Sequence, residues 1–160
     1  DLVSNQFIGA GIAVDLHLSE DKIYVMGHPI QLEQVILNLL ANARDVLAEG
    51  IAQPRIAITL RDLGDTVRLR ISDNGPGVPE DIQSSIFQPF YTTKEVGKGT
   101  GLGLPIVKKI IEEHGGALML EDAPAFSPYA HRGAMAVVRL PLRTEDTSKK
   151  SSTFEEEVEV

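Results

Sequence analysis

A glycine-rich run that leads into an amphipathic helix is the feature of this sequence best suited to chemistry. It spans residues 98–106, with glycines at positions 99, 101 and 103. A glycine backbone can approach a ligand closely and can adopt positive φ angles. The helix that follows would direct its unpaired N–H groups and the positive end of its dipole toward whatever the loop holds. The pattern therefore predicts a phosphate-binding loop.

The spacing excludes two common phosphate-binding motifs. A Walker A loop needs glycine at position 92 and a hydroxyl residue at position 99, which are Thr92 and Gly99 here. The dinucleotide-binding fingerprint needs a strand immediately before its glycines, whereas the polar stretch 92–95 precedes them in this chain.

A polar stripe on the long helix predicted from Pro29 to about Glu49 is the second candidate. At about 100° per residue, a broad apolar arc of this helix is core, and a narrow stripe carries amides and carboxylates. A solvated face is the simpler interpretation, but such faces favour Lys, Glu and Arg, whereas each Asn costs a few tenths of a kcal/mol. Amide and carboxylate oxygens suit Mg²⁺, so the stripe favours a binding role. Its members are Gln31, Gln34, Asn38, Asn42, Asp45 and Glu49.

The segment 73–79 directly follows a predicted strand and contains Asp73, Gly75 and Gly77. Asp, Asn, Gly and Pro are turn formers, so a simple turn is one interpretation. The other is recognition, because a carboxylate at the end of a strand beside two glycines is placed to accept the exocyclic amine of a nucleobase.

Residues 87–91 hold three of the chain's eight aromatic residues, a pattern typical of a hydrophobic plug under a loop. Lys94 and Lys98 lie just before the glycines. Alone they would be solvated, but beside a phosphate loop they become charge partners. The histidines show no metal-binding spacing and are interpreted as structural or surface residues, namely His17, His28, His114 and His131.

Alternating hydrophobicity and turn residues predict the elements that position these groups. Strands are expected near residues 12–18 and 22–26, in a hairpin at 55–61 and 66–72, and at 117–121 and 133–142. Besides the long helix, a helical turn is expected near 80–86, and a second helix from Gly103 to His114.

Composition limits the class of protein. A length of 160 residues suits one domain, with 42% hydrophobic and 24% charged residues. No apolar run approaches the roughly 20 residues needed to cross a bilayer, no signal peptide is visible, and the absence of cysteine excludes disulfides. The net charge of −8 argues against nucleic acid as the main partner. We expect one domain over residues 1–142 and a disordered acidic tail over residues 143–160.

Four segments, in this order, resemble the boxes of the ATP-binding domain shared by sensor histidine kinases, DNA gyrase, Hsp90 and MutL. Residues 34–43 are similar to the N box, 73–77 to the G1 box, 87–90 to the F box and 99–104 to the G2 box. The F box and the short loop are typical of histidine kinases. The sequences of residues 42–45 and 90–94 are similar to the corresponding segments of nitrogen-regulation and C4-dicarboxylate sensor kinases.

The resemblance implies a Bergerat-type α+β fold, a two-layer sandwich whose mixed, mostly antiparallel sheet packs against about three helices. It implies ATP and Mg²⁺ as ligands, with Asp73 accepting the adenine amino group and Asn42 coordinating the metal ion. It points to no certain catalytic residue, with Asn42, Lys94 and Lys98 only positioning the phosphates. The other nucleotide-binding positions it implies are Asn38, Asp45, Gly75, Gly77, Val78, Phe90, Thr92, Thr93, Gly99, Thr100, Gly101, Leu102, Gly103 and Leu104.

The departures from the family pattern define what to expect of the whole protein. His28 stands where the family often has a helix-capping Asp, residues 133–136 lack the frequent hydroxyl groups, and no phosphoacceptor histidine motif is present. We therefore expect a cytoplasmic catalytic fragment that phosphorylates a histidine on an upstream dimerisation domain and serves a response regulator indirectly. A degenerate regulatory module and a hydrolytic ATPase or serine kinase of the same superfamily are the alternatives.

Overall fold

The computed structural model describes residues 2–48, 50–88, 103–123, 133–142 and 156–159. Among these residues, no helix combines the length and the apolar character that a membrane span requires. The helices and strands are α1 (Leu2–Gly9), β1 (Ala13–His17), β2 (Tyr24–Gly27), α2 (Pro29–Leu47), β3 (Arg55–Asp62), β4 (Thr66–Asp73), α3 (Gly103–Glu113), β5 (Ala117–Asp122), β6 (Ala134–Pro141) and β7 (Glu156–Glu159), with 3₁₀ turns at Glu80–Ile82 and Ser85–Phe87.

Five strands form one mixed sheet in the order β1-β3-β4-β6-β5. Only the β1–β3 pair is parallel, and the other three pairs are antiparallel. The predicted hairpin is confirmed as β3 and β4, and its register pairs Ile58 with Ile71 and Leu60 with Leu69. The expected α+β sandwich with a mostly antiparallel sheet is therefore correct.

The helices α2 and α3 pack against one face of this sheet. Most of the apolar arc of α2 predicted from the sequence is buried, with Leu32, Val35 and Leu39 no more than 7% exposed. The prediction is wrong for Ile36 of the same arc, which is 36% exposed. Val107 and Ile111 of α3 are fully buried. The core between the two layers holds the ends of α2, α3 and the central strands in fixed relation, and those ends carry the polar groups described below.

The first and last elements differ from the expectations. The short helix α1 was not predicted, because its eight residues have only a weak apolar pattern; it is held by Phe7, which is 4% exposed. The expectation of a disordered tail is wrong for residues 156–159. They form β7, which pairs antiparallel with β2. Val158 of β7 lies opposite Val25 and packs against the core, which holds the strand in place.

A histidine joins the C-terminus of α3 to the N-terminus of α2. His28, the residue that precedes α2, makes no side-chain cap, as its neutral ring suggested. Its backbone N–H donates instead to Nε2 of His114 at 3.0 Å. An Nε2 atom that accepts a hydrogen bond leaves the proton of a neutral ring on Nδ1, which lies 2.7 Å from the carbonyl oxygen of Ile110. The ring of His114 therefore connects the last turn of α3 to the residue that precedes α2.

Gly27 is required for this arrangement. A Cβ atom at position 27 would lie 2.6 Å from Cδ2 of the His114 ring, which is closer than real contacts allow. Because Gly27 has no side chain, the ring of His114 fits between the two helices.

We predict that His114→Ala lowers the free energy of unfolding by about 1–3 kcal/mol, because it leaves the backbone N–H of His28 without its partner. The carbonyl of Ile110 keeps the backbone N–H of residue 114 as a donor. Urea denaturation measures the change. The matched control is Lys109→Ala on the exposed face of α3, whose side chain is 77% exposed and which should change stability by less than about 0.5 kcal/mol. Equal stability of the two variants would contradict the role assigned to His114.

Candidate functional site

Asp73 is the best-defined polar group of the site. It is the last residue of β4, and its register opposite Ile56 places it on the face of the sheet that packs against the helices. The residue is only 6% exposed. Its Oδ1 atom accepts hydrogen bonds from the backbone N–H of Gly75 at 2.9 Å and of Ala134 at 3.3 Å. Burial raises the pKa of the Asp73 carboxyl above its ordinary 3.8, while the two hydrogen bonds oppose that rise.

Two glycines allow the backbone to close around this carboxylate. A Cβ atom at Gly75 would lie 2.7 Å from Cγ1 of Val46, so the loop after β4 packs directly on α2. A Cβ atom at Gly133 would overlap the backbone carbonyl of Asp73. The close approach of β6 to β4 therefore depends on Gly133, and it brings the N–H of Ala134 to the carboxylate.

The loop that follows Asp73 is held by hydrogen bonds at several points and is more than a simple turn. Asn74 accepts a hydrogen bond from the backbone N–H of Arg55 at 2.8 Å and donates one to the carbonyl of Gln53 at 2.9 Å. Gly77 has a φ of 79°, which favours glycine. The carbonyl of Val78 accepts a hydrogen bond from the Gln83 side chain at 3.1 Å. These bonds fix the loop on which Gly75, Gly77 and Val78 were predicted to contact a nucleobase.

The polar stripe of α2 meets the start of α3. The side chain of Asn42 is half-buried, and a Cβ atom at Gly103, the first residue of α3, would lie 3.9 Å from both its Oδ1 and Nδ2 atoms. The amide oxygen of Asn42, which could bind a metal ion, thus lies beside the positive end of the eleven-residue helix α3. The stripe thus adjoins, at Asn42, the start of the helix that follows the glycine-rich run.

The other stripe residues have different surroundings. Asn38 and Asp45 are half-buried, and Asp45 pairs with Arg44 at 3.5 Å. Gln34 is exposed. The Oε1 atom of Gln31 is buried without a hydrogen-bond partner among the residues that the structure describes.

Several predicted site residues lie outside the described residues. They are Glu49, Phe90, Thr92, Thr93, Lys94, Lys98, Gly99, Thr100, Gly101 and Leu102. Leu104 is described, and it packs half-buried against the core. Phe87 does the same, as expected of a hydrophobic plug, and Nζ of Lys108 lies 5.2 Å from the centre of its ring.

The sequence reasoning missed the contribution of β6. It identified residues 133–136 only as lacking hydroxyl groups, whereas Gly133 and the N–H of Ala134 hold the Asp73 carboxylate. A glycine immediately before a buried strand was the available signal, since such a glycine often marks a close backbone approach.

The hydrogen-bonding groups around Asp73 and Asn42 determine what the site can hold. Within the described residues, both hydrogen bonds to the Asp73 carboxylate go to Oδ1, which leaves Oδ2 as the acceptor for a ligand donor. A buried carboxylate of this kind suits an exocyclic amine. No three His, Asp or Glu side chains of the described part cluster as a metal site. A divalent cation near Asn42 would therefore take most of its ligands from phosphate and water oxygens, which is how Mg²⁺ is commonly bound.

Comparison with known proteins identifies the family of the chain. The profile of the histidine kinase-, DNA gyrase B- and HSP90-like ATPases matches residues 27–144. The C4-dicarboxylate transport sensor protein DctB of Rhizobium meliloti is 35% identical over 129 residues, covering 81% of this chain and 20% of that protein. Nitrogen regulation protein NtrY of Azorhizobium caulinodans is 39% identical over 119 residues, covering 71% of this chain and 14% of that protein. The chain thus spans about a fifth or less of the length of these two relatives.

A solved structure shows the same fold. The catalytic domain of histidine kinase ThkA superimposes with a TM-score of 0.73 at 30% identity, and the match covers 88% of this chain and 86% of that domain. The likeness to the nitrogen-regulation and C4-dicarboxylate sensors that the sequence suggested is confirmed.

We predict that Asp73→Asn is at least as stable as the wild type at pH 7. The amide Oδ1 still accepts the two backbone N–H groups, while the ionised carboxylate that burial disfavours is removed. A carboxyl group whose pKa is raised on folding stabilises the fold when protonated, and it loses that stabilisation as the pH rises above 3.8. The stability advantage of Asp73→Asn should therefore grow from pH 4 to pH 7, as urea denaturation at both values would measure.

The control is Asp81→Asn, since Asp81 is exposed on the first 3₁₀ turn and its substitution should give no such trend. A variant at position 73 that loses stability relative to the wild type as the pH rises would contradict the burial assigned to the carboxylate.

Proposed function

The chain belongs to the histidine kinase-, DNA gyrase B- and HSP90-like ATPase family, with the fold of a sensor histidine kinase catalytic domain, and we propose that it binds Mg-ATP and supplies the γ-phosphoryl group for phosphorylation of a histidine. That histidine would lie on a separate dimerisation domain of a longer sensor protein. The phosphorylated histidine would then serve a response regulator of a two-component system. We place this catalytic domain in the cytoplasm and within residues 1–142, against which the strand β7 packs.

The buried Asp73 carboxylate carries this proposal. Its Oδ1 atom is held by the N–H groups of Gly75 and Ala134, so Oδ2 keeps a fixed direction. The 6-amino group of adenine donates hydrogen bonds, whereas the oxygen at the same position of guanine does not. A buried acceptor therefore selects adenine, because guanine would leave two acceptors facing each other without a proton.

The phosphate end of the nucleotide is proposed to lie at Asn42 and the start of α3. The unpaired N–H groups at the N-terminus of this helix favour negative charge. Mg²⁺, when bound, would neutralise phosphate charge, and the amide oxygen of Asn42 suits it as a ligand. Asn38 and Asp45 would support this site, and Lys94, Lys98 and residues 99–102 would enclose the phosphates.

Phosphoryl transfer would require few further groups from this chain. Phosphoryl transfer depends mainly on positioning and on charge stabilisation, so the protein requires no nucleophile of its own. The core between α2, α3 and the sheet keeps Asp73 and Asn42 in fixed relation, which supports assigning them to the base end and the phosphate end of one nucleotide site.

We predict that Asp73→Asn loses ATP affinity by about 1–3 kcal/mol, roughly 5- to 150-fold, because an amide nitrogen would face the adenine amine. Isothermal titration calorimetry with ATP and Mg²⁺ measures the loss. Asp81→Asn is the matched control and should bind as the wild type does. Unchanged affinity in Asp73→Asn would contradict the adenine assignment.

We predict that Asn42→Ala weakens ATP binding in the presence of Mg²⁺ more than in its absence, because the amide oxygen acts on the metal-bound phosphates. The matched control is Gln34→Ala, which removes an exposed amide from the same stripe. Titrations with and without Mg²⁺ compare the two variants. An equal loss under both conditions would exclude Asn42 as the metal ligand.

Transfer of the phosphoryl group to a histidine on a separate domain distinguishes a histidine kinase from the other enzymes of the superfamily. The chain should phosphorylate a separately purified phosphoacceptor domain, with a product that is labile in acid as a phosphohistidine is. ATP hydrolysis without such a domain would favour the hydrolytic ATPase, and a folded chain that binds no ATP would favour a regulatory module.

A further inference from the structure

Four arginines form a patch on the face of the sheet opposite the helices. Arg61, Arg68 and Arg139 occupy one row across β3, β4 and β6, since Arg68 lies directly opposite both of the others. Arg70 lies two residues further along β4, on the same face. We call these four residues the arginine patch.

The positive charge of the patch is only partly offset by a nearby carboxylate, that of Glu121, which acts on Arg68. Among the residues that the structure describes, none of its four guanidinium groups forms an ion pair. The Nε atoms of Arg68 and Arg70 are covered and lack a hydrogen-bond partner in that part of the chain. Arg61 and Arg139 are exposed. The patch therefore presents several N–H donors and about four positive charges on a chain whose net charge is −8.

This arrangement is unfavourable for the isolated fold. Like charges directly opposite each other on neighbouring strands are destabilising. Burial, and then the nearby Arg70, Arg139 and Arg61, lower the pKa of Arg68 below its ordinary value, while Glu121 acts in the other direction. Threonine or valine would suit these strand positions better. A cluster that costs stability is typical of a binding surface.

We propose that the arginine patch binds an acidic segment of a partner protein, lying extended across the sheet. Neighbouring strands are about 4.8 Å apart, and residues i and i+2 of a strand about 6.8 Å apart. Carboxylates on alternate residues of an extended segment have the same spacing as Arg68 and Arg70. Arginine binds carboxylates through paired N–H groups, which gives geometric selectivity in addition to charge.

The charge of the chain favours a short acidic segment over nucleic acid. The patch is compact, and a long polyanion would extend beyond it over a surface of net negative charge. An acidic segment of a few residues meets only the guanidinium groups. The patch lies on the opposite face of the sheet from Asp73, so this binding neither requires nor excludes the proposed nucleotide site.

The test measures binding of a fluorescein-labelled peptide of alternating glutamate and threonine by fluorescence polarisation at low salt. We expect saturable binding that weakens steeply as salt is added. Arg68→Thr and Arg139→Thr should each weaken it at least about fivefold. Arg68→Lys, which keeps the charge and loses the paired donors, should weaken it less than Arg68→Thr. The control Lys109→Ala removes an exposed charge on α3 and should bind as the wild type does.

Stability and nucleotide binding serve as independent measurements. Without peptide, Arg68→Thr should melt at the same or a higher temperature than the wild type, and the peptide should raise the melting temperature of the wild type only. ATP affinity should be unchanged in Arg68→Thr, so a failure of the nucleotide proposal would leave this test intact.

Three results would overturn the proposal. They are no peptide binding by the wild type at low salt, an equal loss in Lys109→Ala, and tighter patch-dependent binding of a single-stranded oligonucleotide of the same charge. The last result would make nucleic acid the partner.

Discussion

The burial of one carboxylate is the constraint on which this site depends. Asp73 is 6% exposed, and a charge in that position requires hydrogen-bond donors fixed around it. The backbone supplies them from two directions, through Gly75 in the loop after β4 and through Ala134 at the start of β6. Neither approach would be possible with side chains at positions 75 and 133. The glycines are therefore consequences of where the carboxylate lies.

The second requirement is a fixed relation between α2 and α3. Their buried faces pack together on the sheet, and His114 joins the end of α3 to the beginning of α2. At the other end of α3, Gly103 lies beside Asn42. The helix that follows the glycine-rich run is thus held at both ends by α2. The same packing that stabilises the fold determines where a phosphate group would meet an amide oxygen.

The sequence predicted the elements with strong periodicity and missed those without it. The hairpin of β3 and β4 and the long helix α2 follow from alternation and from a clear apolar arc, and both are confirmed. The helix α1 has little periodicity, and β7 depends on Val158 reaching a core formed by distant residues. Neither signal is local. Asn42 was indicated by an amide at a helix position where Lys, Glu or Arg is favoured, and Asp73 by the resemblance of residues 73–77 to the G1 box. Ala134 acts through its backbone, which no side-chain pattern reveals.

Pairing between Asp73 and the amino group of adenine is the central claim, and a double-mutant cycle tests it most directly. The affinities of the wild type and of Asp73→Asn would each be measured for ATP and for the purine analogue that lacks the 6-amino group. The account predicts that the analogue binds the wild type at least tenfold more weakly than ATP does, and that this difference disappears in Asp73→Asn. Equal binding of both nucleotides by the wild type would show that the carboxylate does not recognise the base.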